Sequence, residues 1–126
     1  GAIPLFHPTN IKKLNQIEIG TAGGMTRLST GYTFLNIQAQ SKYIRKNIEN
    51  IKNTKIFSIE KKYQFLDNVF LKVLKNNPDK MAKIFYKMFN CSPNTIINFL
   101  SNKSNILEDV SIISKMPKWI FLKQLI

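Results

Sequence analysis

Along the 126 residues the apolar positions change period once. Near the start they come as short extended runs. The first is "AIPLF", closed by His7-Pro8; the second is "QIEIG", where Ile17 and Ile19 alternate on one face until Gly20 ends the run. Asn15 between them suits a turn. From Gly31 the period becomes helical: Phe34, Ile37, Ser41, Ile44, Ile48 and Ile51 recur at spacings of three and four, and Lys42, Arg45, Lys46 and Glu49 face away from that stripe. The pattern predicts the longest helix of the chain, starting within two or three residues of Gly31. It is entered through Ser29-Thr30, either of which can cap its first N–H groups.

Beyond the Lys/Asn-rich "NIKNTK" the pattern stays helical, with clear punctuation. Phe65, Leu66, Val69, Phe70, Val73 and Leu74 mark a second helix. "NNPD" stops it and restarts the chain with Pro78 at a first helical position, where its missing N–H costs nothing. Met81, Ile84, Phe85, Met88 and Phe89 mark a third helix, and "CSPNTIINFL" opens a short fourth with another Ser-Pro start. "SNILEDVSII" makes a fifth, capped by Ser104 or Asn105, and "MPKWIFLKQLI" is an apolar, Pro-started final segment. The fold class that follows is mainly α with a short β element. No internal repeat recurs at a fixed period.

Between the strand-like run and the long helix lies "IGTAGGMTRLSTGYTF", residues 19 to 34, which holds Gly20, Gly23, Gly24 and Gly31, four of the five glycines. A glycine-rich turn followed by a helix N-terminus suits an anion or a polarised group, because unsatisfied N–H groups and the helix dipole converge there. The spacing fits neither the dinucleotide fingerprint G-x-G-x-x-G nor the P-loop. On glycine content alone, a tight structural turn and a ligand site are equally good readings.

Composition changes this picture little. The formal charge is +12, but 17 of the 19 basic residues are lysines spread along the whole chain, alongside heavy use of Asn and Ile. All three share A/T-rich codons, so a biased genome produces such basicity without a polyanionic partner. A solvated basic surface is the expected reading, with no nucleic acid as partner. Cys91 is the one cysteine and reads as a buried, inert thiol. There is no apolar run of about 18 residues to span a membrane and no secretory leader pattern. His7 and Cys91 are too far apart in sequence for a metal-ligand spacing, so no metal is expected, and Glu108 and Asp109 read as capping and dipole partners rather than catalytic acids. The first residue is Gly rather than Met, which leaves open a piece of something longer.

The residues also carry a resemblance. "IPL" followed by "IGTAGGMTRLSTGYTFLNIQAQS" resembles the late flavin-binding segment of FAD-dependent lycopene cyclases, relatives of the p-hydroxybenzoate hydroxylase group of flavoproteins. Downstream, "FLDNVFLKVL", "FYKMF", "INFLSNKSNILEDVSIISKMP" and "FLKQL" are similar to the helical C-terminal end of the bacterial members. The resemblance implies the C-terminal third of an α/β FAD-binding, p-hydroxybenzoate hydroxylase-like fold, with residues 1–52 ending the FAD-binding domain and residues 53–126 forming a helical C-terminal region. It implies that Gly20, Thr21, Ala22, Gly23, Gly24 and Met25 lie along the ribityl and pyrophosphate part of FAD, and that Thr30, Gly31 and Tyr32 approach the ring. Thr21 stands where the related hydroxylases carry an Asp that bonds the ribityl chain. Arg27-Leu28 stands where cyclases often have a basic residue and Pro, which implies a less rigid turn.

The activity implied is closure of β-ionone rings on acyclic lycopene in carotenoid biosynthesis, without net oxidation, by reduced FAD generated from NAD(P)H. The catalytic acids and the ADP-binding G-x-G-x-x-G belong to an upstream part of the enzyme, so the segment alone is expected to be inactive and no catalytic residue is assigned here. Carotenes dissolve in lipid, so the expected location is cytoplasmic, peripheral at the inner face of the cell membrane. Trp119, Ile120, Phe121 and Leu122, set among Lys115, Lys118 and Lys123, read either as an interfacial anchor or as C-terminal core. The rival reading is a small basic helical module binding nucleic acid, with steep salt dependence, or a protein partner.

Overall fold

The computed structural model describes residues 16–124. All regular structure among them is helical, in six α-helices: α1 (Phe34–Lys46), α2 (Lys61–Asn76), α3 (Met81–Phe89), α4 (Pro93–Leu100), α5 (Ile106–Lys115) and α6 (Lys118–Leu122). Single 3-10 turns at Ile48–Asn50 and Pro78–Lys80 follow α1 and precede α3. The expected strand in "QIEIG" does not form: residues 16–19 are irregular, and Ile17 and Ile19 are largely exposed. A short alternating run needs a neighbouring strand to take up its N–H and C=O groups, and no described residue supplies one. "AIPLF" and His7 lie outside the described residues.

The chain divides into two compact units that meet between Gln64 and Phe65, inside α2. In the first unit α1 starts three residues after Gly31, as the period predicts, but at 13 residues it is shorter than α2, which has 16. Asn47 stops it: its side chain donates to the Tyr43 carbonyl at 2.8 Å, and its backbone N–H reaches Tyr43 and Ile44. Nor does α1 bury the stripe its apolar residues draw. Phe34 is 64% exposed, and Ile48, where the stripe runs on past the helix, is 61% exposed, whereas Asn36 and Gln40 are the buried residues of the helix. The polar face turns inward because the preceding loop presents backbone groups that need partners, and leaving these unpaired would cost more than exposing two apolar side chains. Tyr43 packs against Phe57 with ring centroids 5.3 Å apart, and its hydroxyl donates to the Lys55 carbonyl at 2.7 Å.

The second unit follows its sequence pattern in its helices and in most of its buried positions, although Phe65, Met81 and Phe89 of the same stripes are exposed. Phe70, Val73 and Leu74 of α2, Ile84 and Met88 of α3, Ile96, Phe99 and Leu100 of α4, and Ile112 of α5 are buried, at positions three and four apart. Cys91 is buried as read. Phe70 meets Phe85 at 5.4 Å, edge to face, and Phe121 of α6 at 5.9 Å. Pro93 sits at the first position of α4 behind Ser92, whose hydroxyl accepts from Thr95 N–H at 3.3 Å. Of the two candidate caps for α5 it is Asn105 that serves, in a complete capping box with Glu108. The carboxylate of Glu108 also accepts from Asn98 at 2.7 Å, and Asp109 accepts from the Ser104 hydroxyl at 2.6 Å.

Candidate functional site: a glycine turn clamped to a helix

The nine residues expected at a ligand lie on one segment, which forms two arcs. The first runs from Gly20 to Met25. Met25 N–H returns to the Gly20 carbonyl at 3.1 Å, Gly24 N–H to Thr21 at 3.1 Å and Gly23 N–H to Ile19 at 3.3 Å. Such tight closure needs left-handed backbone, and Gly20 and Gly24 supply it with φ of 62° and 76°. The second arc is centred on Arg27, whose N–H donates to Tyr32 O at 2.8 Å while its carbonyl accepts from Gly31 at 2.7 Å and Thr30 at 3.3 Å. Gly31, with φ of 73°, makes that closure possible. A proline after Arg27 is therefore not what holds this turn; three backbone bonds on Arg27 are.

Helix α1 grips the first arc from the side. The Gln40 carboxamide accepts from Gly20 N–H at 2.7 Å and donates to the Glu18 carbonyl at 3.4 Å, and Asn36 donates to the Met25 carbonyl at 3.2 Å. Gly23 is bare because of this clamp: a Cβ there would stand 2.5 Å from the Glu18 oxygen and 2.8 Å from Gln40 Nε2. Gly31 is the opposite case, since a Cβ built there meets no atom within 4 Å.

Between the arcs, Met25, Thr26, Arg27, Leu28 and Ser29 form a run of buried loop. The Arg27 guanidinium lies over the Tyr63 ring, 4.9 Å from its centroid. Thr26 Oγ1 is buried without a hydrogen-bond partner among the described residues. Neither Ser29 nor Thr30 caps α1, contrary to expectation. The cap position falls on Thr33, which makes no side-chain bond to the helix; Ser29 is buried, and the Thr30 hydroxyl accepts from Tyr32 N–H at 3.4 Å within the second arc.

What faces outward is therefore narrower than the nine residues. Gly20, Gly23, Gly24 and Met25 commit their N–H groups to the turn and its clamp, and the Met25 side chain is fully buried. Among the described atoms none accepts from the amides of Thr21 and Ala22 at the tip of the turn. The N-cap residue of α1, Thr33, makes no side-chain bond to the helix, and its first turn carries no acidic residue that would offset the dipole. Open space at Gly31 beside that end, together with the tip amides, leaves room for an anionic or polarised group. Asn36, Gln40 and Thr26 escaped sequence reasoning. The signal for the first two was present, as a carboxamide pair four apart on a face that the apolar stripe leaves out.

A family model described as lycopene cyclase protein matches residues 1–125. No curated protein and no solved structure matches the chain.

Proposed function

Since the chain belongs to the lycopene cyclase family, we propose that it is the C-terminal segment of a flavin-dependent lycopene β-cyclase. In this reading the segment holds the pyrimidine edge and ribityl chain of FAD between Gly31, the start of α1 and the Thr21-Ala22 tip. The observation that carries it is the pairing of Gly31, open and left-handed, with a helix N-terminus whose cap residue, Thr33, makes no side-chain bond to the helix. When bound, reduced FAD, regenerated by NAD(P)H, supplies a fixed negative charge near the carotene end group that is protonated and closed. One proton enters at the chain end and one leaves the new ring, so the carotene is neither oxidised nor reduced. The acids that move those protons belong to the upstream part of the enzyme. This segment's share is to orient: the α1 dipole favours the anionic flavin edge, and the clamped turn fixes the backbone that borders it.

Contact with a lipid surface belongs to the same proposal, because the substrate is an acyclic hydrocarbon. Trp119 is 81% exposed, and α5 exposes Ile106, Leu107, Val110 and Ile113 along one stripe. The exposed charges from Lys103 to Lys123 are all lysines, since Glu108 is engaged in the α5 capping box and Asp109 accepts from the Ser104 hydroxyl. Apolar side chains ringed by lysine suit the anionic inner leaflet of a cell membrane. No described helix is long and apolar enough to cross it. The test is the full-length enzyme produced in lycopene-accumulating cells. Bound flavin and a cyclised carotene are expected; a folded enzyme with neither, or one retained by nucleic acid at physiological salt, would overturn the assignment.

A further inference from the structure

We propose that Gln40 is a positioning residue of the flavin site: its carboxamide sets the conformation of the Gly20–Met25 turn, and Gly23 is glycine to admit that carboxamide. The inference rests on the flavin reading above. Gln40 is 3% exposed in the middle of a helix whose other polar residues mostly face solvent, so its burial needs a cause. The cause is two-sided recognition of backbone, with Oε1 accepting from Gly20 and Nε2 donating to Glu18, across separations of 20 and 22 residues. Only a primary amide of this length both accepts and donates at those two points.

Asn36, one helical turn nearer the start of α1, repeats the device on the Met25 carbonyl. The loop thus runs antiparallel to α1, from Glu18 beside Gln40 to Met25 beside Asn36. The two positions are about 6 Å apart along the axis at 1.5 Å per residue. The clamp thereby locks the turn in register with the helix N-terminus, and the tip amides of Thr21 and Ala22 keep a fixed distance from the dipole end. A ligand spanning both meets a preorganised site, and loosening the clamp weakens binding without removing a single contact to the ligand.

The informative variant is Gln40→Glu. Its carboxylate still accepts from Gly20 N–H but sets a negative oxygen against the Glu18 carbonyl, whereas the protonated carboxyl donates there and restores both bonds. Burial raises the pKa of a carboxyl at this position above the ordinary glutamate value, so protonation falls within an accessible range. In the full-length enzyme, flavin affinity measured per folded molecule should fall roughly tenfold at about pH 8 and return towards wild type near pH 5, as expected for loss and recovery of one charge-perturbed hydrogen bond. Gln38→Glu, the same change at an exposed position of α1, should follow wild type throughout. Hydrogen exchange at Gly20 N–H in flavin-free protein supplies a second readout, faster in Gln40→Glu at high pH and slowed again at low pH. Gln40→Asn, one methylene short, should weaken flavin at every pH. Wild-type flavin affinity and Gly20 protection in both Gln40 variants would overturn the positioning role alone. A wild-type enzyme that folds without flavin would instead overturn the cofactor reading on which the role depends.

Discussion

Gly31 shows why a bare position has to be read together with its backbone. With φ of 73° every L-residue other than Asn or Asp is strained there, so Gly31→Val loses stability whether or not a ligand approaches. Gly31→Asn separates the two effects, because Asn tolerates the left-handed region and still extends a side chain into the open space. The expected outcome is a flavin-free melt within a few degrees of wild type, corresponding to less than about 1 kcal/mol, together with a clear loss of flavin per folded molecule. Undiminished flavin content in Gly31→Asn would show that this glycine serves the turn only. Thr26 poses the inverse problem. Its hydroxyl is buried without a partner among the described residues, a situation that costs about 1–3 kcal/mol. Thr26→Val keeps the shape and deletes the orphan, so the variant should melt at or above the wild-type temperature. A marked fall in Tm would reveal a partner for Oγ1.

Among the elements, the helices of the second unit are specified by local chemistry and α1 is not. The capping box of α5 joins Asn105 Oδ1 to Glu108 N–H and Glu108 Oε2 to Asn105 N–H, both at 2.9 Å. Asn105→Ala should therefore cost about 1 kcal/mol in denaturant melts, with Ser92→Ala on α4 costing a similar or smaller amount. On α1 the ranking of substitutions should invert what its hydrophobic pattern implies. Phe34→Ser, at a largely exposed position, is expected to change stability by less than about 0.5 kcal/mol. Asn36→Leu, which strands the buried Met25 carbonyl, should cost about 1–3 kcal/mol. Equal costs for the two would mean that the apolar stripe, not the carboxamide face, holds α1 in place.

At the scale of the molecule, the exposed apolar side chains are too regularly placed to be scattered surface residues. Ile106, Val110 and Ile113 follow the i, i+4, i+7 rule with Leu107 beside them, each more than half exposed, while Ile112 faces the other way and is buried. Trp119 is the one tryptophan of the chain and lies exposed on α6, so its fluorescence reports directly on a lipid surface. Anionic vesicles should shift its emission to the blue and carry the protein into the pellet, and roughly 0.5 M salt should weaken both effects, since the lysines act over a screened distance. Leu107→Glu combined with Val110→Glu should abolish sedimentation while leaving the circular dichroism unchanged. Tryptophan emission indifferent to vesicles would mean that these side chains meet protein rather than lipid.

The chain's own pattern determined the helices, their order and most of their boundaries. Period, proline starts and Ser or Asn caps act between residues three or four apart, and such interactions form wherever the chain folds. It also carried the family, in the "TAGG" and "STGYTF" pieces of the glycine segment. Tertiary structure alone decided which face of α1 turns inward, that "QIEIG" forms no strand, and that Gly23 and Gly31 are bare for different reasons. Those outcomes depend on bonds spanning 11 to 22 residues, from Asn36 to Met25 and from Gln40 to Gly20 and Glu18. A hydrophobic count weighs the gain from burying Phe34 or Ile48 and is blind to the larger cost of an unpaired carbonyl or amide in a loop far away in sequence. Where a buried loop borders a helix, that cost chooses the face.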